Sequence, residues 1–152
     1  MLIDVIGLPA PQGSKRHVGH GILVESSKKV KPWRQDVKWA AIEVIREHLA
    51  LDAGYTTMAR DVWINIDFRL ARPKGHYRTG RNAGTLRDSA PTHPGHRPDL
   101  DKLIRSTFDA LGEAGVWLDD SQVVQVIARK MYADDAPPGA TILVYTPARY
   151  AA

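Results

Sequence analysis

From Val62 to Leu70, apolar Val62, Ile64, Ile66, Phe68 and Leu70 alternate with Trp63, Asn65, Asp67 and Arg69. That period of two predicts a strand with one buried face. Leu100, Leu103, Ile104, Thr107, Phe108 and Leu111 follow the i, i+3, i+4, i+7 spacing of one helix face, so residues 99 to 113 read as an amphipathic helix. Pro98 and Asp99 supply its start, and Gly112 to Gly115 its stop. A second helix begins at Pro32, a favourable first helical position, and runs to about Leu51, where Asp52-Ala53-Gly54 ends it. Trp33, Val37, Ala40, Ala41, Val44 and Leu51 share its apolar face, and Trp33 and Trp39 both read as packing residues rather than platforms for bases. Further strands are predicted over Met1 to Leu8, over Gln122 to Tyr132 and, after a turn at Asp134 to Gly139, over Ala140 to Thr146. Residues 9 to 31, broken by prolines and glycines, read as a loop with a short hairpin.

Four strands and two main helices in the order β, α, β, α, β, β predict an α+β fold with a mixed sheet. The 152 residues, 43% of them apolar, suit a single domain over 1–152 with its own core. One stretch does not fit that core. Residues 72 to 97 are rich in Gly, Pro, Arg and His and poor in aliphatic residues, which predicts a basic, flexible loop that orders against a partner. The absence of cysteine removes disulfides, thiolate metal sites and cysteine nucleophiles, and fits a reducing cytoplasm. No basic leader opens the chain and no apolar run reaches membrane-spanning length, so a cytoplasmic protein with no membrane association is expected.

Charge sharpens the picture. The net charge is +4, but residues 13 to 38 carry Lys15, Arg16, Lys28, Lys29, Lys31, Arg34 and Lys38 against Glu25 and Asp36. Residues 72 to 97 carry Arg72, Lys74, Arg78, Arg81, Arg87 and Arg97 against Asp88 alone. Each segment is therefore +5 and the remainder −6. Distributed cations beside concentrated carboxylates are what a metal-dependent nuclease needs, the first to hold phosphates and the second to hold a cation. Solvated surface explains charge runs equally well when no acidic cluster accompanies them.

The acids in question are Asp99, Asp101, Asp119 and Asp120. A helix of about 14 residues at ~1.5 Å each runs roughly 21 Å, and the steps from Glu113 to Asp120, if extended at about 3.3 Å each, return a similar distance. On that arithmetic Asp120 comes back beside Asp99 and Asp101. Carboxylates gathered so closely need a cation between them, and an all-oxygen set points to Mg²⁺ or Mn²⁺. A purely structural reading stands beside this one: Asp99 as a helix cap, Asp101 facing the helix dipole, Asp119-Asp120 in a turn. His76, His93 and His96 offer no comparable zinc site, lacking both cysteine and a scaffold.

The run Arg97-Pro98-Asp99-Leu100-Asp101-Lys102-Leu103-Ile104-Arg105, continued to Leu118-Asp119-Asp120-Ser121-Gln122-Val123-Val124, resembles the signature of the RusA-type Holliday-junction resolvases of phages and prophages. A weaker resemblance covers Gly7-Leu8-Pro9-Ala10-Pro11-Gln12-Gly13-Ser14-Lys15-Arg16 and Lys130. The resemblance implies that Asp99, Asp101 and Asp120 hold the metal and that Arg105 stands where the family has a catalytic lysine. It implies supporting places for Asp119 and Lys102, the latter where asparagine is usual. An arginine keeps a permanent charge and stabilises a transition state without acting as a base. The implied activity is hydrolysis of four-way DNA junctions by a Mg²⁺-dependent homodimer, one site per subunit.

DNA contacts are expected from Lys15, Arg16, Arg72, Lys74, Tyr77, Arg78, Arg81, Arg97 and Lys130, with Tyr77 stacking on an exposed base. Asp67, on the polar face of its strand, is left out of the acidic site. Two other readings share these residues: a nuclease for flaps or other branched DNA, and a non-catalytic DNA-binding module. No phosphate-cradling Gly-rich loop ending in Lys-Ser/Thr occurs, so no nucleotide cofactor is expected.

Overall fold

The computed structural model describes residues 1–13, 15–17, 23–25, 28–52 and 57–147, with backbone alone over 15–17 and 23–25. The elements run β1 (Leu2–Ile6), β2 (Lys15–His17), β3 (Leu23–Glu25), α1 (Val30–Leu51), β4 (Val62–Leu70), α2 (Leu100–Glu113), β5 (Val123–Tyr132) and β6 (Gly139–Tyr145). Short 3₁₀ turns lie at Lys74–His76, Gly80–Asn82 and Asp120–Gln122. This is the expected α+β fold: one four-stranded mixed sheet with two main helices.

Sheet order is β1-β6-β4-β5, with β2 and β3 forming a separate hairpin. β6 pairs antiparallel with both β1 and β4, while β4 and β5 are parallel. A parallel pair needs a long crossover, and the chain from Ala71 to Gln122, including α2, supplies it.

Both helices lie on one sheet face. The alternating strand residues Ile64, Ile66 and Phe68 meet Trp33, Val37 and Ala41 of α1 and Leu103, Ala110 and Leu111 of α2 in a single core. Burying the valine, leucine, isoleucine and phenylalanine side chains among them is worth about 1.5–3 kcal/mol apiece. Trp33 is fully buried and donates from Nε1 to Thr107 Oγ1 at 3.2 Å, tying α1 to α2. Trp39, expected to pack, is 53% exposed; six residues on from Trp33, it falls on the other side of the helix. The opposite sheet face is open, and carries the ion pairs Asp67–Arg129 and Asp4–Arg69.

The 72–97 stretch was expected to lack structure of its own, yet it is built from contacts that leave no hydrophobic period. It holds two 3₁₀ turns, a Tyr77↔Leu86 bridge closes the chain around the second of them, and Arg78 pairs with Asp88 at 2.7 Å. Arg87 donates to the Tyr77 carbonyl at 3.0 Å. Guanidinium groups bonded to carbonyls and carboxylates do here what aliphatic side chains do in the core.

Candidate active site at the start of the central helix

Pro98 and Asp99 lead into α2, and Asp99 occupies the N-cap with extended backbone (φ −69°, ψ 135°). Its side chain makes no capping hydrogen bond. The carboxylate instead meets Lys102 Nζ at 2.8 Å while remaining half-exposed. The Lys102 hydrogen bond and charge, reinforced by the charges of Arg97 and Lys130, hold the Asp99 carboxyl below its ordinary range. Asp101 lies in the first turn, exposed, and Arg105 is exposed four residues later. That spacing puts Asp101 and Arg105 on one helix face. Asp99, Asp101, Lys102 and Arg105 thus share one exposed helix start.

Two neighbouring segments fix that start. Ser106 Oγ donates to the Ala10 carbonyl at 2.7 Å and Gln12 N to the Lys102 carbonyl at 3.0 Å, laying the first loop along α2. From β5, Lys130 Nζ donates to the carbonyls of His96 at 2.8 Å and Pro98 at 2.9 Å. Lys130, expected to contact DNA, braces the turn that presents Asp99. Nothing in the sequence pattern distinguished this role, because a lysine on a strand edge looks the same whether its ammonium meets solvent or a carbonyl.

Asp120 is elsewhere, and the expectation that it returns beside Asp99 is corrected. It accepts from Trp117 Nε1 at 2.8 Å, and its Oδ1 lies 3.6 Å from where a Cβ on Gly112 would sit, at the last turn of α2. The cause is local. Gly115 N bonds to Gly112 O at 2.9 Å and Val116 N to Leu111 O at 3.1 Å, with Gly115 at φ +81°. This is a Schellman motif, which folds the chain back onto the helix end rather than extending it. Buried Val116 and Trp117 then pin the segment there. It is β5, parallel to β4, that makes the return journey, and it delivers Lys130 rather than Asp120.

Asp119 caps the 3₁₀ turn, accepting from Ser121 N at 2.8 Å, and Gln122 Oε1 accepts from Asp119 N in return. The hydrogen bonds with Ser121 hold the Asp119 carboxyl below its ordinary range. Asp119 and Asp120 therefore stand together at the opposite end of α2 from Asp99 and Asp101. Among the described residues, no group of three His, Cys, Asp or Glu side chains is placed to hold a metal ion. Within this chain, Asp99, Asp101 and Asp120 do not come together as a three-carboxylate centre.

The expected DNA contacts divide. Arg72 is corrected to a structural role: its side chain is 5% exposed, and its guanidinium bonds Asp134 at 2.7 and 2.6 Å and stacks 4.0 Å over the Tyr132 ring. Lys74, Arg81 and Arg97 are exposed, and Tyr77 and Arg78 are partly so. Lys15 and Arg16 lie on β2, and their side chains are outside the described residues. Asp67, left out of the acidic site, is bonded to Arg129 at 2.6 and 2.7 Å on the open sheet face. Among the described residues, no helix is long and apolar enough to cross a membrane.

Comparison with known proteins agrees with this arrangement of motifs. The family model described as endodeoxyribonuclease RusA matches residues 7–145. Proteins named crossover junction endodeoxyribonuclease RusA from Enterobacteria phage 82, from Escherichia coli K12 and from Shigella sonnei are each 57% identical over 35 residues. That stretch is 23% of this chain and 29% of each relative, so the match spans under a third of those proteins' length.

Proposed function

The chain belongs to the RusA endodeoxyribonuclease family, and from that premise we propose that it is a Mg²⁺-dependent endonuclease that resolves four-way DNA junctions by paired hydrolysis of phosphodiester bonds. The observation that carries this reading is the helix start where Asp99, uncapped, stands with Asp101 and Arg105 at the surface. A carboxylate used merely as a cap would bond the first helical N–H groups; this one does not.

The two ends of α2 suggest how a three-acid centre arises. β5 is an edge strand with exposed Val124, Val126 and Ile127, and it runs from the Asp120 end of α2 to the Lys130–Asp99 end. Two such edges paired antiparallel about a two-fold axis would bring Asp120 of the partner subunit to this subunit's Asp99 and Asp101. The homodimer expected for opposed cuts on a two-fold substrate then also completes each site. Bound there, Mg²⁺ or Mn²⁺ would supply an acidified water and neutralise phosphoryl charge.

The chain's own residues have distinct tasks. Arg105, permanently charged, stabilises the pentacoordinate phosphate. Lys102 balances Asp99 until a cation arrives. Lys130 holds the turn that aims Asp99, and Arg97 with the 74–81 cations grips flanking phosphates.

The test compares a four-way junction, a flap and linear duplex, each with Mg²⁺, for wild-type and Asp101→Asn protein. Paired symmetric nicks on the junction, abolished by the substitution, are expected. Binding without cutting by the wild type would instead make this a DNA-binding module.

A further inference from the structure

Beside the acid pair the surface is hollowed into a groove of about 270 Å³ that the hydrolysis described above does not use. Leu8, Pro9, Pro94, Pro98 and Tyr132 line it, and Lys29 and Arg97 add charge. Pro98 lines the groove and is followed at once by Asp99, so groove and acids are immediate neighbours. Leu8 is 62% exposed there, a large apolar side chain left uncovered.

The walls are held in place. Tyr132 is buried, with the Arg72 guanidinium 4.0 Å over its ring and His76 edge-on at 5.4 Å. Lys130 fixes the carbonyls of His96 and Pro98, two further residues of the lining. Such bracing suits a preformed receptor better than a collapsible surface dimple.

Proline rings and a leucine offer flat apolar faces, while a lysine and an arginine beside them favour an anionic flank. A nucleobase attached to its phosphodiester backbone matches both, its flat ring packing on the apolar faces and its phosphate meeting the cations. The volume admits one flat ring system and not a helix, whose diameter with side chains is about 10–12 Å. Charge complementarity further selects a polyanion. A base already unpaired costs least to extrude from a stack.

We infer that this groove receives one unstacked base of the cleaved strand, next to the scissile phosphate. The inference rests on the branched-DNA nuclease reading and extends it, giving the site a contact with a base beside the bond to be cut.

The test places 2-aminopurine singly at successive nucleotides around the cut position of a four-way junction. Wild-type protein is added in EDTA, so that binding is read without cleavage. Fluorescence should rise at one position. It should be lost in Ala71→Trp, which fills the groove from an exposed wall position, and in Leu8→Asp, which repels the strand. Junction affinity should fall roughly tenfold in both. Junction binding with no bright position would overturn the groove and leave the nuclease reading intact. Failure to bind junctions at all would overturn both. A fluorescence rise that survives both substitutions while sedimentation changes would assign the groove to a second copy of the chain instead.

Discussion

At the scale of single residues, the ammonium of Lys130 carries the clearest consequence. Its two bonds reach backbone carbonyls of His96 and Pro98, and under the proposed function it would act on catalysis through the placement of Asp99. Lys130→Met should lower kcat by about 10–100-fold, the range for groups that orient a catalytic ligand. Junction affinity should change little, and Lys130→Arg should recover part of the rate. Single-turnover cleavage and gel-shift titration separate the two terms; a loss confined to affinity would return Lys130 to phosphate binding. A second residue-level expectation concerns pH. The hydrogen bond from Arg72 holds the Asp134 carboxyl below its ordinary 3.8, with desolvation opposing. A carboxyl depressed in the folded state adds stability above its unfolded pKa, and that stability is lost as pH falls through the folded value. Asp134→Asn should therefore be less stable than wild type at neutral pH, with the gap closing below pH 3.8. A pH-independent gap in urea denaturation would contradict the ion pair's role.

At the scale of elements, the regular segments were legible in the sequence because burial there follows a period. β4 spans Val62–Leu70, the residues that alternate, and the observed α2 lies within one residue of its expected bounds. The position of Asp120 was not legible by the same means. Chain-length arithmetic over 113–120 allowed a return along the helix, whereas Gly115 followed by buried Val116 makes a Schellman turn that forbids it. The architecture of 72–97 was hidden for another reason, since bonds from Arg72, Arg78 and Arg87 to particular oxygens leave no repeat in the sequence. Two glycines give opposite expectations. A methyl on Gly112 would meet Asp120 and Trp117 at 3.6 Å, an ordinary contact, so Gly112→Ala should stabilise the helix by about 0.5–1 kcal/mol. A Cβ on Gly139 would lie 1.8 Å from the Val5 carbonyl oxygen, so Gly139→Ala should open the β1–β6 ladder and destabilise by about 2–3 kcal/mol. Thermal or urea unfolding reads both signs.

At the scale of the whole molecule, the acids stand at two ends of a helix about 21 Å long, and the exposed valines of an edge strand lie between those ends. Edge strands with such faces seek a partner unless protected by charge or proline. Under the proposed dimer, the wild type should sediment as a dimer and Val126→Lys as a monomer, and cleavage should be lost with the dimer. A dimer that survives the lysine would remove β5 from the interface. The most direct test of the account co-expresses Asp101→Asn and Asp120→Asn chains. Each variant alone should be inactive on a four-way junction. Their heterodimer should regain one intact site, built from Asp99 and Asp101 of one chain and Asp120 of the other, and so nick the junction on a single strand. A heterodimer as inactive as its parents would contradict a site shared between subunits.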